Sequence, residues 1–226
     1  RGIAFTGHIG APVPGLLRAA RRARMVVVDR GYLRVQREWR QQAADALTCP
    51  LHQIEGDVIV PVELASPRQE YAAATFRPKI HRLLPHFLVP PDPPPEPLPG
   101  SAPEGPSPEE FLGQADQLLN RMPDDGELQP ASYIGGPGEA TRRLNRFLAE
   151  SLRHYADDRN DPAQSHQSGL SPYLHFGQIS PLRVALSVRD AGGRNADAFL
   201  EELIVRRELA ANYVFYQPAY DRFEGL

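Results

Sequence analysis

Two runs hold the side chains with the most chemistry to offer, SGLSPYLHFGQISPLR at residues 168–183 and FLEELIVRRELAANYVFY at 199–216. In the first, Ser168-Gly169-Leu170-Ser171-Pro172 sets a small, flexible turn ahead of a proline suited to a helix start, so free backbone N–H groups converge beside two serine hydroxyls. A start of this kind can receive an anion, a diphosphate included, and a surface helix cap fits the same residues equally well. Ser180-Pro181 repeats the arrangement, and Gly177 between the two predicts a short first helix that turns sharply into the next. Tyr173, His175 and Phe176 follow the turn and suit a core as readily as a cofactor contact. In the second run Glu202 and Arg206 stand at i and i+4, on a stripe with Phe199, Leu209 and Tyr213. An exposed pair with that spacing contributes only about 0.3–0.5 kcal/mol. Among large apolar residues a carboxylate needs a partner, and Arg207 and Glu208 widen the polar insertion. A structural ion pair and a functional site are both consistent with this pattern.

Ile134-Gly135-Gly136-Pro137-Gly138-Glu139-Ala140 is a weaker candidate. It lacks the lysine of a Walker A loop and does not follow a strand, so a tight turn leading into a helix explains it better than a phosphate cradle.

The elements that must position these residues differ between the two halves of the chain. Residues 14–24 read as a helix, Met25 to Asp29 as a buried β-branched strand, 35–47 as a helix carrying Trp39, and Asp57 to Val62 as a second strand. Ser66-Pro67-Arg68-Gln69 predicts a capping box for a third helix that ends near Arg77, ahead of Pro78. Residues 1–89 thus resemble the later part of an open α/β sheet domain. Residues 90–108 hold ten of the 24 prolines and read as an extended linker, partly polyproline II. Ser107-Pro108-Glu109-Glu110 is a further capping box, and from there to residue 216 the periodicity is helical. Ala140, Leu144, Phe147, Leu148, Leu152 and Tyr155 form one buried stripe. The division expected is 1–89, a linker at 90–108, and an all-α domain over 109–226.

Composition narrows the function classes. With 41% hydrophobic and 23% charged residues the chain is an ordinary globular one, and no apolar run is long enough to span a bilayer. The single cysteine, Cys49, rules out an internal disulfide, and the seven histidines fall into no zinc spacing. A reducing cytoplasmic setting and a monomer are the expectation. With Arg1 in first position and no basic stretch leading into an apolar core, the sequence reads as a fragment without a signal peptide. Net charge is −3, yet Lys79 is the sole lysine, and nine arginines crowd the first forty residues. Arginine forks suit phosphate, and equally a solvated helix face.

LSPYLHFGQISPLRV (170–184), EELIVRRELAANYVFY (201–216), YADDRNDP (155–162), VVVDRGYLRVQREWR (26–40) and EYAAATFRPKIHRLL (70–84) together resemble the class II cyclobutane pyrimidine dimer DNA photolyases, within the photolyase and cryptochrome flavoproteins. The resemblance implies a partial Rossmann-like α/β antenna domain followed by an all-α FAD-binding domain, both incomplete, since family members are about twice this length. It implies that Tyr155, Ser168, Gly169, Leu170 and Ser171 bind the FAD phosphates and ribitol, that Phe199 lines the cofactor pocket, and that Arg206 contacts FAD. Glu202 would hydrogen-bond the pyrimidine dimer carbonyl. The implied reaction is light-driven: reduced FAD lends an electron to a flipped-out dimer in damaged DNA, the cyclobutane ring splits, and the electron returns. Extrusion costs least at a poorly stacked, damaged site. An antenna chromophore of deazaflavin type is also implied. Two departures stand out: the family pattern has an acid where this chain has Ala211, and the only tryptophan, Trp39, lies outside the helical half. The alternatives are a cryptochrome-like flavin photoreceptor without repair activity and an unrelated nucleotide-binding α/β module. By this reading the chain alone holds FAD weakly and is inactive.

Overall fold

The β-branched run at the front of the chain does form a strand, β1 (Val26–Asp29), and it pairs with β2 (Leu51–Ile54) in a two-stranded parallel sheet. The structure is a computed structural model that describes residues 5–93, 107–119 and 131–225. Between the strands lies α2 (Arg34–Ala46), and ahead of them α1 (Pro12–Ala19), which tightens into a 3-10 turn over Ala20–Arg22. With two strands, the run is covered on one side only: Val26 is buried, whereas Val27 is 48% exposed. α5 (Pro108–Leu119) begins with the expected box, Glu110 N–H donating to Ser107 Oγ at 3.2 Å and Ser107 N–H to Glu110 Oε2 at 2.8 Å. The proline-rich stretch from 94 to 106 lies outside the described residues.

The described parts of Arg1–Val28, Arg34–Ile54 and Asp92–Ser132 make one compact unit. The second comprises Asp29–Leu33, Glu55–Pro91 and Tyr133–Leu226. This second unit contains α3 (Val62–Ala65), α4 (Ala73–Phe87), α6 (Pro137–Arg146), α7 (Tyr155–Asp158), α8 (Ser171–His175), α9 (Pro181–Ala191), α10 (Gly193–Leu200) and α11 (Arg207–Tyr216). Its core joins Ile59, Val60, Phe76 and Ile80 to Val184, Val188, Ile204 and Val205.

Two elements differ from the sequence expectation. Residues 57–62 are not a strand, although Val58, Ile59, Val60 and Val62 are all buried as their hydrophobicity demands. The backbone donors find a side chain instead of a ladder: Glu208 accepts the Ile59 N–H at 2.6 Å and the Val60 N–H at 3.3 Å. The third helix starts at Ala73 rather than after Ser66, and it runs through Pro78 and Pro85. Ser66 Oγ donates to Glu70 at 2.7 Å, so the residues of the expected cap belong to a buried polar node. Each proline inside a helix costs about 3 kcal/mol, and burying Phe76 and Ile80, both 0% exposed, offsets much of that at roughly 1.5–3 kcal/mol each.

The stripe from Ala140 to Tyr155 is buried as expected, with Leu148 half-covered. The helix beneath it is irregular, passing through a π turn (Phe147–Ser151) and a 3-10 turn (Leu152–His154) before α7. A wide and a tight turn displace the register in opposite senses, which keeps Tyr155 on the buried face. α8 is as short as Gly177 predicts. Gln178 N–H donates to Tyr173 O at 2.8 Å and Gly177 N–H to Leu174 O at 3.3 Å, with Gly177 at φ +64, and this Schellman pattern leads to Ser180 and α9.

Candidate functional site

An aromatic wall forms where the irregular helix meets the end of α10. Phe147, Tyr155 and Phe199 pack against one another, tilted for Phe147–Phe199 with ring centroids 4.9 Å apart, and edge-to-face for Tyr155–Phe199 at 5.1 Å and Phe147–Tyr155 at 5.8 Å. Tyr155 opens α7, and four residues later Arg159 forms an ion pair with Glu202. Both charged side chains are partly open, at 28% and 39% exposure. Burial, and then the negative Glu202, push the Tyr155 hydroxyl above its ordinary range, with Arg159 pulling the other way.

The expected Glu202–Arg206 pair does not form. Residues Glu201–Arg206 make a second π turn, in which i and i+5 rather than i and i+4 come into line. Arg206 accordingly lies 3.4 Å from Glu201 Oε1 and stays 54% exposed. Glu201 also takes two bonds from Arg77, at 3.0 and 2.7 Å, and these hold its carboxyl below the usual range.

The Ser168–Ser171 turn is tied back to α7 by its flanking loop. Gln167 Nε2 donates to Arg159 O at 2.6 Å, and His166 Nδ1 lies 2.6 Å from Asp158 Oδ2. Gly169 is in the left-handed region at φ +62. Leu170 is fully buried and donates its N–H to Ser168 Oγ at 3.3 Å. Ser171 is the exposed first residue of α8, and no side chain caps that helix, so the serine N-cap expected from sequence is absent. Tyr173 is core, its hydroxyl donating to Ile134 O at 2.8 Å, while Phe176 is 71% exposed. The glycine-rich stretch acts as a turn into α6, with Gly136 at φ +110 and its N–H held by Gln178 Oε1 at 2.8 Å.

Tyr155, Phe199 and Glu202 therefore come together, the serine turn is fastened beside them, and Arg206 stands on the Glu201 side. Arg159 and Phe147 belong to the same constellation. Arg159 could have been found as the basic residue one helical turn after Tyr155 in YADDRNDP. Glu208 and Asn212 are functional in another sense. Asn212 accepts the Glu70 N–H at 2.7 Å and donates to Arg68 O at 3.1 Å, and Tyr216 donates to Ser66 O at 2.8 Å, so RRELAANYVFY is also a clamp on residues 59–70. Ala211 packs in a small cluster with Tyr32, Val58 and Val62.

These residues fit a flavin dinucleotide. Guanidinium forks with serine hydroxyls form a donor set for a diphosphate, and Phe147, Tyr155 and Phe199, at 2–6% exposure, supply an apolar wall rather than open ring faces. Among the described residues no group of three or more His, Cys, Asp or Glu could hold a metal ion, and no helix is long and apolar enough to cross a membrane.

Residues 1–99 match the family model described as DNA photolyase. The chain is 45% identical to the deoxyribodipyrimidine photo-lyase of Methanothermobacter thermautotrophicus over 226 residues, 100% of this chain and 49% of that protein. It is 39% identical to the deoxyribodipyrimidine photo-lyase of Oryza sativa subsp. japonica, over 98% of this chain and 45% of the relative. The chain thus spans about half the length of the curated relatives it matches. Among solved structures, a class III photolyase from Agrobacterium tumefaciens superposes with a TM-score of 0.63 at 21% identity, over 92% of this chain and 45% of that one. A Synechocystis cryptochrome gives 0.63 at 15% identity, over 91% and 45%. The structural likenesses show the fold, and with the sequence matches along the whole chain they lead to one conclusion: the chain belongs to the DNA photolyase family.

Proposed function

We propose that the full-length protein is a class II deoxyribodipyrimidine photo-lyase that repairs cyclobutane pyrimidine dimers in DNA with light and FAD. The observation that carries this reading is Glu202, a half-open carboxyl paired with Arg159 at the edge of the Phe147–Tyr155–Phe199 wall. The chemistry supplied by the bound flavin is one electron lent to the dimer and returned once the ring has split. Tyr155 and Phe199 would line the ring pocket, Ser168 to Ser171 would hold the phosphates and ribitol, and Arg206 would contact the cofactor. Glu202 would meet the base edge, accepting from a ring N–H as a carboxylate or donating to the carbonyl once protonated. Arg159 orients that carboxyl until substrate arrives.

In the full-length protein, Glu202→Gln lowers the yield of light-dependent thymine dimer repair and leaves FAD bound. Undiminished repair would remove Glu202 from this role. The cryptochrome neighbour favours a second reading, a flavin photoreceptor without repair activity. Absence of repair in a fully FAD-loaded wild-type protein would select it.

A further inference from the structure

The π turn over Glu201–Arg206 decides which acid faces the aromatic wall. Its wide step is carried by the Arg207 N–H, which reaches back past the usual acceptor to Glu202 O. Such a step holds one residue more than an α turn, and the chain on either side of it is fixed. Upstream, Phe199 is buried in the aromatic wall. Downstream, Glu208 and Asn212 hold the backbone N–H groups of Ile59, Val60 and Glu70. The extra residue must therefore sit somewhere between these anchors, and its place sets the partner of Arg206. With the wide step at 201–206, Arg206 lies 3.4 Å from Glu201, and Glu202 is left to Arg159. With the step moved beyond Arg206, residues 202 and 206 regain α spacing, and Arg206 competes with Arg159 for Glu202. Packing leaves this choice open. The turn backs onto a cavity of about 650 Å³, lined by Leu200, Glu201, Ile204 and Val205 together with Leu84 and Leu88 of α4, so the backbone has room to shift. What holds it is Arg77, which grips Glu201 with a fork, Nε to Oε2 at 3.0 Å and Nη2 to Oε1 at 2.7 Å. A two-point fork fixes direction as well as distance.

We propose that Arg77 is a positioning residue for Glu202: by gripping Glu201 it keeps the wide step at 201–206, so that Arg206 stays on Glu201 and Glu202 remains at the edge of the aromatic wall. The inference rests on the repair reading for what Glu202 does, and on the turn alone for how it is held. Arg77 touches neither the wall nor the serine turn. It acts across 124 residues of sequence, from α4 ahead of the proline-rich stretch.

The test places Arg77→Gln in two backgrounds of the full-length, FAD-loaded protein, wild type and Glu202→Gln, and measures thymine dimer repair per absorbed photon. Arg77 is 38% exposed, so the fold accommodates the glutamine. Misplacing a reacting group by about an ångström costs up to ~100-fold, and a partial shift of the turn should lower the wild-type yield roughly three- to tenfold. In the Glu202→Gln background the same change should lower it no further, because Arg77 acts only through Glu202. FAD content per chain should be equal in all four proteins. A drop by the same factor in both backgrounds would make Arg77 a general support of the fold and overturn the proposal, as would an undiminished wild-type yield. A crystal structure of Arg77→Gln reads the turn directly. Arg206 paired with Glu202 is the expected result, and Arg206 still on Glu201 overturns the proposal whatever the yields. If Glu202→Gln alone leaves repair undiminished, the repair role of Glu202 fails, while the crystal structure still decides how the turn is held, so the two fail separately.

Discussion

Glu208 shows how a single buried side chain can organise backbone far away in sequence. Its carboxyl is 1% exposed and accepts two backbone N–H groups. Burial pushes its pKa up to about 8, more than the Ile59 and Val60 N–H bonds pull it down. A carboxyl raised from its ordinary 4.5 favours the folded state when protonated. Its contribution is therefore full below pH 4.5 and is lost as pH rises through about 8. Urea midpoints from pH 5 to 9 should fall more steeply for wild type than for Glu208→Gln, and equal slopes would contradict the assignment. Glu70 behaves oppositely. Burial would raise it, but hydrogen bonds from Lys79, Ser66 and Thr75 prevail and hold it at about 2, so its contribution is present above pH 4.5 and lost as pH falls through 2. Glu208→Ala removes the acceptor of two buried donors and should cost about 2–6 kcal/mol in the same denaturation assay, from ~1–3 kcal/mol per orphaned group.

At the scale of elements, local signals were legible and remote partners were not. The Ser107 box, the β1 run, α2, the Ala140–Tyr155 stripe and the Gly177 stop depend on neighbours within a few residues, and each lies where the sequence places it. Residues 57–62 read as a strand in sequence because their hydrophobicity is equally that of a strand and of a buried loop. The deciding partner, Glu208, is 149 residues from Ile59. Glu202 and Arg206 were paired by α-helical spacing, and the π turn undoes that spacing. The constellation itself was legible through Tyr155, Phe199 and Glu202, but Arg159 was missed because its partner lies 43 residues away. Gly177 offers a clean check of local geometry. A Cβ there would meet nothing within 4 Å, so Gly177→Ala should cost only the left-handed backbone strain, about 1 kcal/mol by urea denaturation. A cost near zero would mean that the turn relaxes to another form.

Across the whole molecule, sequence-distant segments outweigh the boundary suggested by proline density. Residues 55–91 precede the proline-rich stretch, yet they belong to the same compact unit as 133–225. Glu208, Asn212 and Tyr216 hold backbone groups of residues 59–70, Arg77 pairs with Glu201, and Arg189 donates to Leu88 O at 3.0 Å. Val60, Val62, Phe76 and Ile80 are at most 1% exposed, and burying four such side chains is worth roughly 6–12 kcal/mol before ordering costs. That range brackets the ~8 kcal/mol of a micromolar complex. A protease site inserted between residues 94 and 106 gives a direct readout. After cleavage the two pieces should co-elute on a sizing column at micromolar concentration and separate only in denaturant. Weakening the clamp with Asn212→Ala, which strands the Glu70 N–H and the Arg68 carbonyl, should lower the denaturant concentration at which they part. Pieces that elute separately without denaturant would restore the proline-rich stretch as the domain boundary and confine the clamp to a minor role.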